Sequence, residues 1–583
     1  MASTTTSIIC NNFSGIQKQN ATFSSELVTC SDCQNVELYY TNQNSGIGLR
    51  TSQGNTKIAI LNDNEKIIAM HSASFGGSQY LFLYVEDDQK GYLKYLDGSS
   101  IKTIGEGFKK GVYNLCSFSV FSDSWLDILV LSNGNEIKYY SINNESEATK
   151  AEGIKEISSD ELTLKDTENR DVSGLGLVNF DSRLWLFKNN ILWYSKQGDC
   201  RNFNFQDPNY VASAGFIEMG KRITAIHTYN GQLAVFFSDG YRFVTTDTTT
   251  GFGVGSECSL GCADLNSLLY HGAELYVFDN NKKMIYALSQ TATGDTTTTE
   301  NLANDVQYIL SEINPLDLGK GYIRTESVVT EDKNELWFLL PFGDKSNSEL
   351  KEKTSLVLVY DYKHNAWLKR LINKCSSICL HQNVIYSANS SLYQEYNGYK
   401  YGENLFIPSY YKCSALLVDS YNTLKITKFP PKIIVDNSTT CDFWVEYTKN
   451  YDISKPSKLK EILCKKTGEV AKYVTAIDDG EYVTDESGNI LYYEDISSTD
   501  EEKIYTNIPI PKHYTDGSLV YDYEDVPYVY DSNYVTRFNG NAVVKLPAST
   551  FKSLEIKFFT QNEKEGFSFK SLEMINIKVK QVW

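Results

Sequence analysis

Between about residues 55 and 410, apolar positions come in short runs broken every 8 to 12 residues or so by Gly, Asn and Asp. TKIAIL, QYLFLYVE, GYLKYL, SRLWLFKNNILWYSK, GQLAVFFSDGYRFVTT, AELYVFDNNKKMIYALS, NELWFLLPF and SLVLVYDYKHNAWLKR show the pattern. Runs this short, rich in β-branched and aromatic residues and bounded by turn formers, predict strands. Many are paired across a tight turn. Asn133–Gly134 joins two apolar runs in DILVLSNGNEIKYYSI, and Asp239–Gly240 does so in LAVFFSDGYRFV. Asn and Gly supply the positive φ that two-residue hairpin turns require.

The hairpins recur at intervals of roughly 40 to 55 residues, without a strict sequence repeat. One hairpin with one or two further strands makes a propeller blade. The spacing predicts six or seven blades, near 56–100, 102–145, 175–210, 221–258, 265–300, 325–370 and 375–410. The fold class is therefore all-β: a β-propeller over 56–410 followed by a separate β-sandwich. Two stretches break the rhythm. Residues 146–172 are charged and read as an exposed connector. Residues 300–313 place Leu302, Val306, Ile309 and Leu310 on one face at helical spacing, which predicts one short helix.

From 411 to 583 the pattern changes to longer alternating strands. Leu554, Ile556 and Phe558 alternate with Glu555 and Lys557, and Ile575, Ile577 and Val579 alternate with Asn576, Lys578 and Lys580. Period-two alternation with one polar face predicts antiparallel sheet packed on one side. Within this domain, residues 471–540 hold 15 Asp and Glu against 4 Lys and Arg, and 11 of the chain's 41 Tyr. Acidity without aromatics would predict disorder. The tyrosines predict instead an ordered hairpin insertion that touches a partner or lines a surface, the alternative being a solvated loop. Residues 1–55 are polar and weakly periodic, and read as an extended arm or a strand lent to a neighbour.

Composition adds constraints. The formal charge of the 583-residue chain is −18, which opposes adhesion to nucleic acid or anionic membrane, although an acidic lumen still lets DNA pass without sticking. No run of about 18 apolar residues predicts a membrane-spanning helix, and the beginning of the sequence lacks the basic and apolar regions of a secretory signal. Twelve Cys include one CxxC (Cys30, Cys33) and two CxxxC pairs (Cys258 and Cys262, Cys375 and Cys379), read as buried or incidental thiols. The six His, at 71, 227, 271, 364, 381 and 513, form no ligand spacing. There is no P-loop and no GxSxG elbow. GFGVGSECS at 251–259 reads as a loose Gly-rich turn, and Ser195 stands beside Lys196 without a base partner. Trp185, Trp193, Trp337 and Trp367 read as core. No catalytic, cofactor-binding or metal-binding residue is assigned, and no cofactor is expected.

The most specific stretch is 176–245. Phe180, Arg183, Leu184, Trp185, Trp193, Ser195, Lys196, Gly198, Asp199 and Phe203 fit a first pattern, and Ile223, Thr224, Ile226, Leu233, Phe236, Gly240 and Tyr241 a second. Together they resemble the tail nozzle, or tail-hub stabilisation, proteins of short-tailed bacteriophages. NELWFLLP and SLVLVYDYKHNAWLKR continue the likeness more weakly, to about residue 410, whereas the arm and the Tyr/acid insertion have no counterpart. The resemblance implies a structural virion protein without enzymatic activity. It would form a homohexameric ring around the DNA exit channel, dock onto the adaptor proteins of the head-to-tail connector and hold tail fibre or plug proteins. It would be assembled in the host bacterial cytoplasm, located in the virion tail, and not inserted in a membrane. The competing expectation is a carbohydrate-binding or glycoside-cleaving propeller, which requires carboxylates and aromatics converging at one mouth; a bacterial cell-surface or scaffolding propeller is a third.

Overall fold

In the computed structural model the described residues are most of 5–462 and 541–581. Residues 463–540 and shorter stretches, among them 18–28, 119–124, 314–325 and 451–457, lie outside them. The acidic, Tyr-rich insertion expected at 471–540 falls there. The chain divides into two units, Gly54–Leu405 and Met1–Gln53 with Phe406–Trp583.

The first unit is a β-propeller. Seven four-stranded antiparallel sheets follow one another, each made of consecutive strands except the last. Blades 1 to 6 cover 66–108, 114–156, 175–218, 223–254, 269–298 and 326–373. Blade 7 takes three strands from 377–395 and its fourth from Asn55–Ile60, with Ser391 opposite Ile60 and Glu395 opposite Asn55. This closing strand explains why the blade spacing read from sequence starts about ten residues early. The run TKIAIL is not the first strand of blade 1 but the last strand of blade 7.

Interior strands of the blades are covered on both faces by their neighbours. Arg183–Lys188, Glu335–Leu339 and Thr354–Asp361 are therefore buried almost throughout, and their sequences read as continuous apolar runs. The core is a series of slabs between blades. Ile128, Val130 and Tyr139 of blade 2 meet Leu184, Leu186 and Trp193 of blade 3, and Leu81, Leu83 and Val85 of blade 1 meet Ala388 and Leu392 of blade 7. Trp185, Trp193, Trp337 and Trp367 are core residues, as expected. Asn133–Gly134 sits at a turn with positive φ at Gly134, as read from sequence; Asp239–Gly240 also sits at a turn, closed by the Phe237 amide on the Gly240 carbonyl, but without the expected positive φ, which appears instead at Asn189 and Asn365 of two other hairpins.

Two local readings are corrected. The charged stretch 146–172 is not a plain exposed connector. Ile154–Glu156 is the fourth strand of blade 2, Ile157 and Val172 join the slab between blades 2 and 3, and Asp166 is fully buried. The Gly-rich segment supplies Gly251–Val254, the outer strand of blade 4, rather than a loose turn. The short helix at 300–313 forms as a 3₁₀ turn, Asn304–Val306, running into Gln307–Leu310, with Val306, Ile309 and Leu310 buried.

The second unit is a β-sandwich of one eight-stranded and one six-stranded sheet. The expected N-terminal arm is built into it. Thr5–Cys10 pairs with Ser568–Gln581, the hairpin of Val36–Tyr40 and Ile47–Thr51 lies on the same long strand, and Cys30–Gln34 pairs with Ser409–Cys413. Its weak periodicity misled because backbone ladders supply most of its attachment. Among the described residues its buried apolar side chains are scattered: Phe13, Ile16, Cys30, Cys33, Val36, Leu38 and Leu49. Leu554, Ile556 and Phe558 point inward as the alternation predicts, and Phe443 and Phe558 of one sheet meet Phe569 of the other at 5.1 and 5.5 Å between ring centroids.

Candidate functional site

The pattern at 176–245 folds into blade 3 and most of blade 4, and its polar members act as struts. Arg183 is 2% exposed and donates to the carbonyls of Ser195 (2.9 Å), Ser213 (2.5 Å) and Val211 (2.6 Å). The guanidinium thereby holds the loop between the third and fourth strands of blade 3, which its rigid fork of donors suits. Ser195 is fully buried. Its Oγ accepts from the Leu184 amide at 2.9 Å and donates to the Lys196 carbonyl, so it is a turn anchor rather than a nucleophile. Trp185 Nε1 donates to the Phe180 carbonyl at 3.0 Å, and Asp199 accepts from the Arg201 amide and Nε, both at 3.1 Å. Trp193 Nε1 reaches Asp166 Oδ2 at 3.0 Å, beside Arg170 Nε at 2.7 Å. Burial raises the Asp166 carboxyl, but the bonds from Trp193 and Arg170 outweigh it and hold the group below its ordinary 3.8.

The first strands of successive blades touch one another, with the Leu265–Ser267 turn standing between those of blades 4 and 5, and so line the axis of the ring. The ring topology brings four of the six His to these strands: His71 in blade 1, His227 in blade 4, His271 in blade 5 and His381 in blade 7. His71 Nε2 lies 3.2 Å from Ser117 Oγ of blade 2, and Ser72 Oγ lies 2.9 Å from His381 Nδ1, so hydrogen bonds stitch blades 7, 1 and 2 together. Burial pulls the His71 imidazole down to about 4, and also lowers His227 and His381. The His71, His227 and His381 rings are therefore neutral at pH 7 and serve as hydrogen-bonding groups. Sequence spacing missed this set because its members are up to some 300 residues apart; only the closure of the ring makes them neighbours.

The axis is also bridged. Asn114 Nδ2 of blade 2 donates to Asn266 Oδ1, in the turn that enters blade 5, at 3.3 Å. Asn114 Oδ1 accepts from the Gly176 amide of blade 3, and Ser327 of blade 6 donates to the carbonyls of Asn266 and Leu268. Four blades thus meet through one amide pair.

Three buried carboxylates of the propeller are held by specific partners, and one of them, Glu395, ties the closing strand. Glu395 accepts from Asn55 Nδ2 (2.8 Å), Ser387 Oγ (2.6 Å) and Arg370 Nη2 (3.2 Å). Glu335 accepts from Trp337 Nε1 at 2.9 Å and from the Tyr396 hydroxyl. The Arg370 guanidinium lies 4.2 Å from the Tyr396 ring centre and 5.0 Å from that of Trp337. Glu65 is paired with Lys94 at 2.6 Å, both nearly buried. Among the described residues no group of three or more His, Cys, Asp or Glu has metal-binding geometry. Burial pushes the thiols of Cys116 and Cys379 up to about 12 and raises Cys30, so these cysteines are protonated and poorly nucleophilic. Of the two CxxxC pairs, Cys262 is buried and Cys258 exposed, whereas Cys375 is buried and Cys379 partly so.

No family model matches the chain, and no curated protein matches it. Among solved structures it is similar to a streptogramin B lyase, with 10% identity, a TM-score of 0.32, and coverage of 62% of this chain and 96% of that one. It is also similar to the virginiamycin B lyase of Staphylococcus aureus, with 12% identity, a TM-score of 0.34, and coverage of 57% and 96%. At this distance nothing of their chemistry is carried to this chain.

Proposed function

We propose that this chain is a structural, non-catalytic subunit of the tail nozzle or hub ring of a short-tailed bacteriophage, present as a homohexamer around the DNA exit channel. It would contact the adaptor proteins of the head-to-tail connector and the fibre or plug proteins, and only transiently the passing genome. The observation that carries the reading is the pattern at 176–245. Its likeness is to tail nozzle proteins, and its residues serve here as struts of blades 3 and 4 rather than as a reactive constellation. The bridged axis is in keeping with it. With Asn114 and Asn266 joined across the ring, a DNA path has to be formed between copies, which a closed ring of heterologous contacts provides. The net charge of −18 suits a wall that DNA slides past.

The test is quantitative mass spectrometry of purified virions. The chain is expected there, at about six copies per virion, as the proposed homohexamer requires. Its absence from virions that contain portal and adaptor proteins refutes the reading.

A further inference from the structure

The outer face of the six-stranded sheet of the sandwich carries two adjacent cross-strand rows. One row is aromatic: Tyr410 lies opposite Phe559, and Phe559 opposite Trp444. The Trp444 and Phe559 rings are within 14° of parallel, with centroids 6.2 Å apart. The next row is charged: Asp32 lies opposite Lys412, Lys412 opposite Lys557, and Lys557 opposite Glu446. Over the charged row, between Tyr410 on one side and the Thr448–Glu555 pair on the other, is a recess of about 240 Å³ lined also by Asp32, Lys412, Glu446 and Lys557. Two lysines directly opposed on a sheet repel. Here Lys412 is held by Glu555 at 2.9 Å, and Lys557 lies 4.3 Å from the Tyr410 ring centre. The Tyr410 hydroxyl donates to Asp32 Oδ2 at 2.7 Å.

We infer that this recess binds a neutral sugar ring of a glycan. Its volume equals that of about eight water molecules, which suits one pyranose with its hydroxyls. Carboxylates accept from sugar hydroxyls and ammonium groups donate to them, so a ring of hydroxyls, each both donor and acceptor, matches the mixed lining. Tyr410 is the aromatic wall of the recess, and Phe559 and Trp444 continue its row outside it, where the C–H faces of neighbouring rings of the glycan could lie. Other occupants fit worse. An apolar ligand would strip water from five charged groups without replacing its hydrogen bonds. A polyanion would meet three carboxylates against two ammonium groups, on a chain of net charge −18. The inference does not depend on the tail assignment.

The experiment uses the full chain and a panel of neutral hexasaccharides of glucose, galactose, mannose and N-acetylglucosamine, with a galacturonic acid hexamer as the acidic arm. Binding is read by calorimetry and saturation-transfer NMR. At least one neutral member should bind saturably in preference to the acidic hexamer. Lys557→Met and Glu446→Gln should each weaken it at least tenfold with an unchanged melting temperature, while Lys110→Ala on the propeller leaves it unchanged. Tyr410→Phe, which removes one hydroxyl and keeps the backbone ladder, should weaken it several-fold and serves if either other variant misfolds. Absence of saturable binding across the neutral panel, preference for the acidic hexamer, or undiminished binding by the recess variants overturns the inference.

Discussion

Removing the Glu395 carboxylate should open the propeller at one seam. Glu395 is 2% exposed, and its three partners come from separate segments: Asn55 from the closing strand, Ser387 from blade 7 and Arg370 from blade 6. Glu395→Ala leaves the Arg370 guanidinium, itself 2% exposed, without this carboxylate. Breaking a buried ion pair by deleting one member costs about 3–5 kcal/mol. The propeller unit has roughly 350 residues, and at about 2.1 cal/mol/K per residue its unfolding entropy is roughly 0.7 kcal/mol/K. A loss of about 4 kcal/mol therefore lowers the melting temperature by about 5 °C. The assay is differential scanning calorimetry together with amide exchange. Exchange is the sharper readout, because Asn55–Ile60 is an edge strand, held by its ladder to Ser391–Glu395 and by the bond of the Asn55 amide to Lys400, and should lose protection before blades 3 and 4 do. Glu395→Gln keeps acceptor and shape and should cost less than Ala. A melting shift under about 1 °C, or a loss of protection equal in all blades, would refute the reasoning.

Trp193→Phe removes the indole donor to Asp166 and should destabilise the propeller by about 1.5–3 kcal/mol, the range for hydrogen bonds to charged groups, as measured by urea unfolding. Because the folded Asp166 carboxyl lies below its unfolded value, its stabilisation is present above pH 4 and disappears as pH falls further. The variant should therefore begin acid unfolding at higher pH than the native chain. His71 gives a second pH effect. Its imidazole titrates at about 4 when folded against 6.5 unfolded, so stability is complete above pH 6.5 and falls toward pH 4, by about 3 kcal/mol in total. His71→Gln should flatten the stability profile in that window. A double-mutant cycle of Asn114→Ala and Asn266→Ala should show a coupling energy of about 1 kcal/mol; additivity would mean that the axial bridge contributes nothing.

What sequence reveals here follows from the range of each interaction. Asn133–Gly134, Asn189 and Asn365 mark hairpins through their own backbone preferences, and the doubly covered strands betray themselves as unbroken apolar runs, so the blades are legible. The closing strand is not, because nothing in TKIAIL tells whether its partner is eight residues away or 330. Asp166 looks like one more charge in a solvated stretch until Trp193 and Arg170 are placed on it. The four axial His carry no spacing signal, since the ring and not the local chain assembles them. In the sandwich recess, Asp32, Tyr410 and Lys557 come from three distant strands, and only the register shows them as neighbours.

The route of the chain through the two units carries a cost in time. Thr5–Cys10 is paired with Ser568–Gln581, and the whole propeller, Gly54–Leu405, is threaded between these partners. At a synthesis rate of about 5–20 residues per second, the propeller's own closing strand waits roughly 15–65 s for blade 7, and the opening strand of the sandwich roughly 30–110 s for its partner. The propeller is thus a guest that folds while its host is still half made. During that interval the host's early strands present unpaired edges, the kind of surface on which chains join one another wrongly. Losing the last strand to a premature stop would leave the propeller intact but strip the opening segment of its place, so truncation at one end should register as exposure at the other.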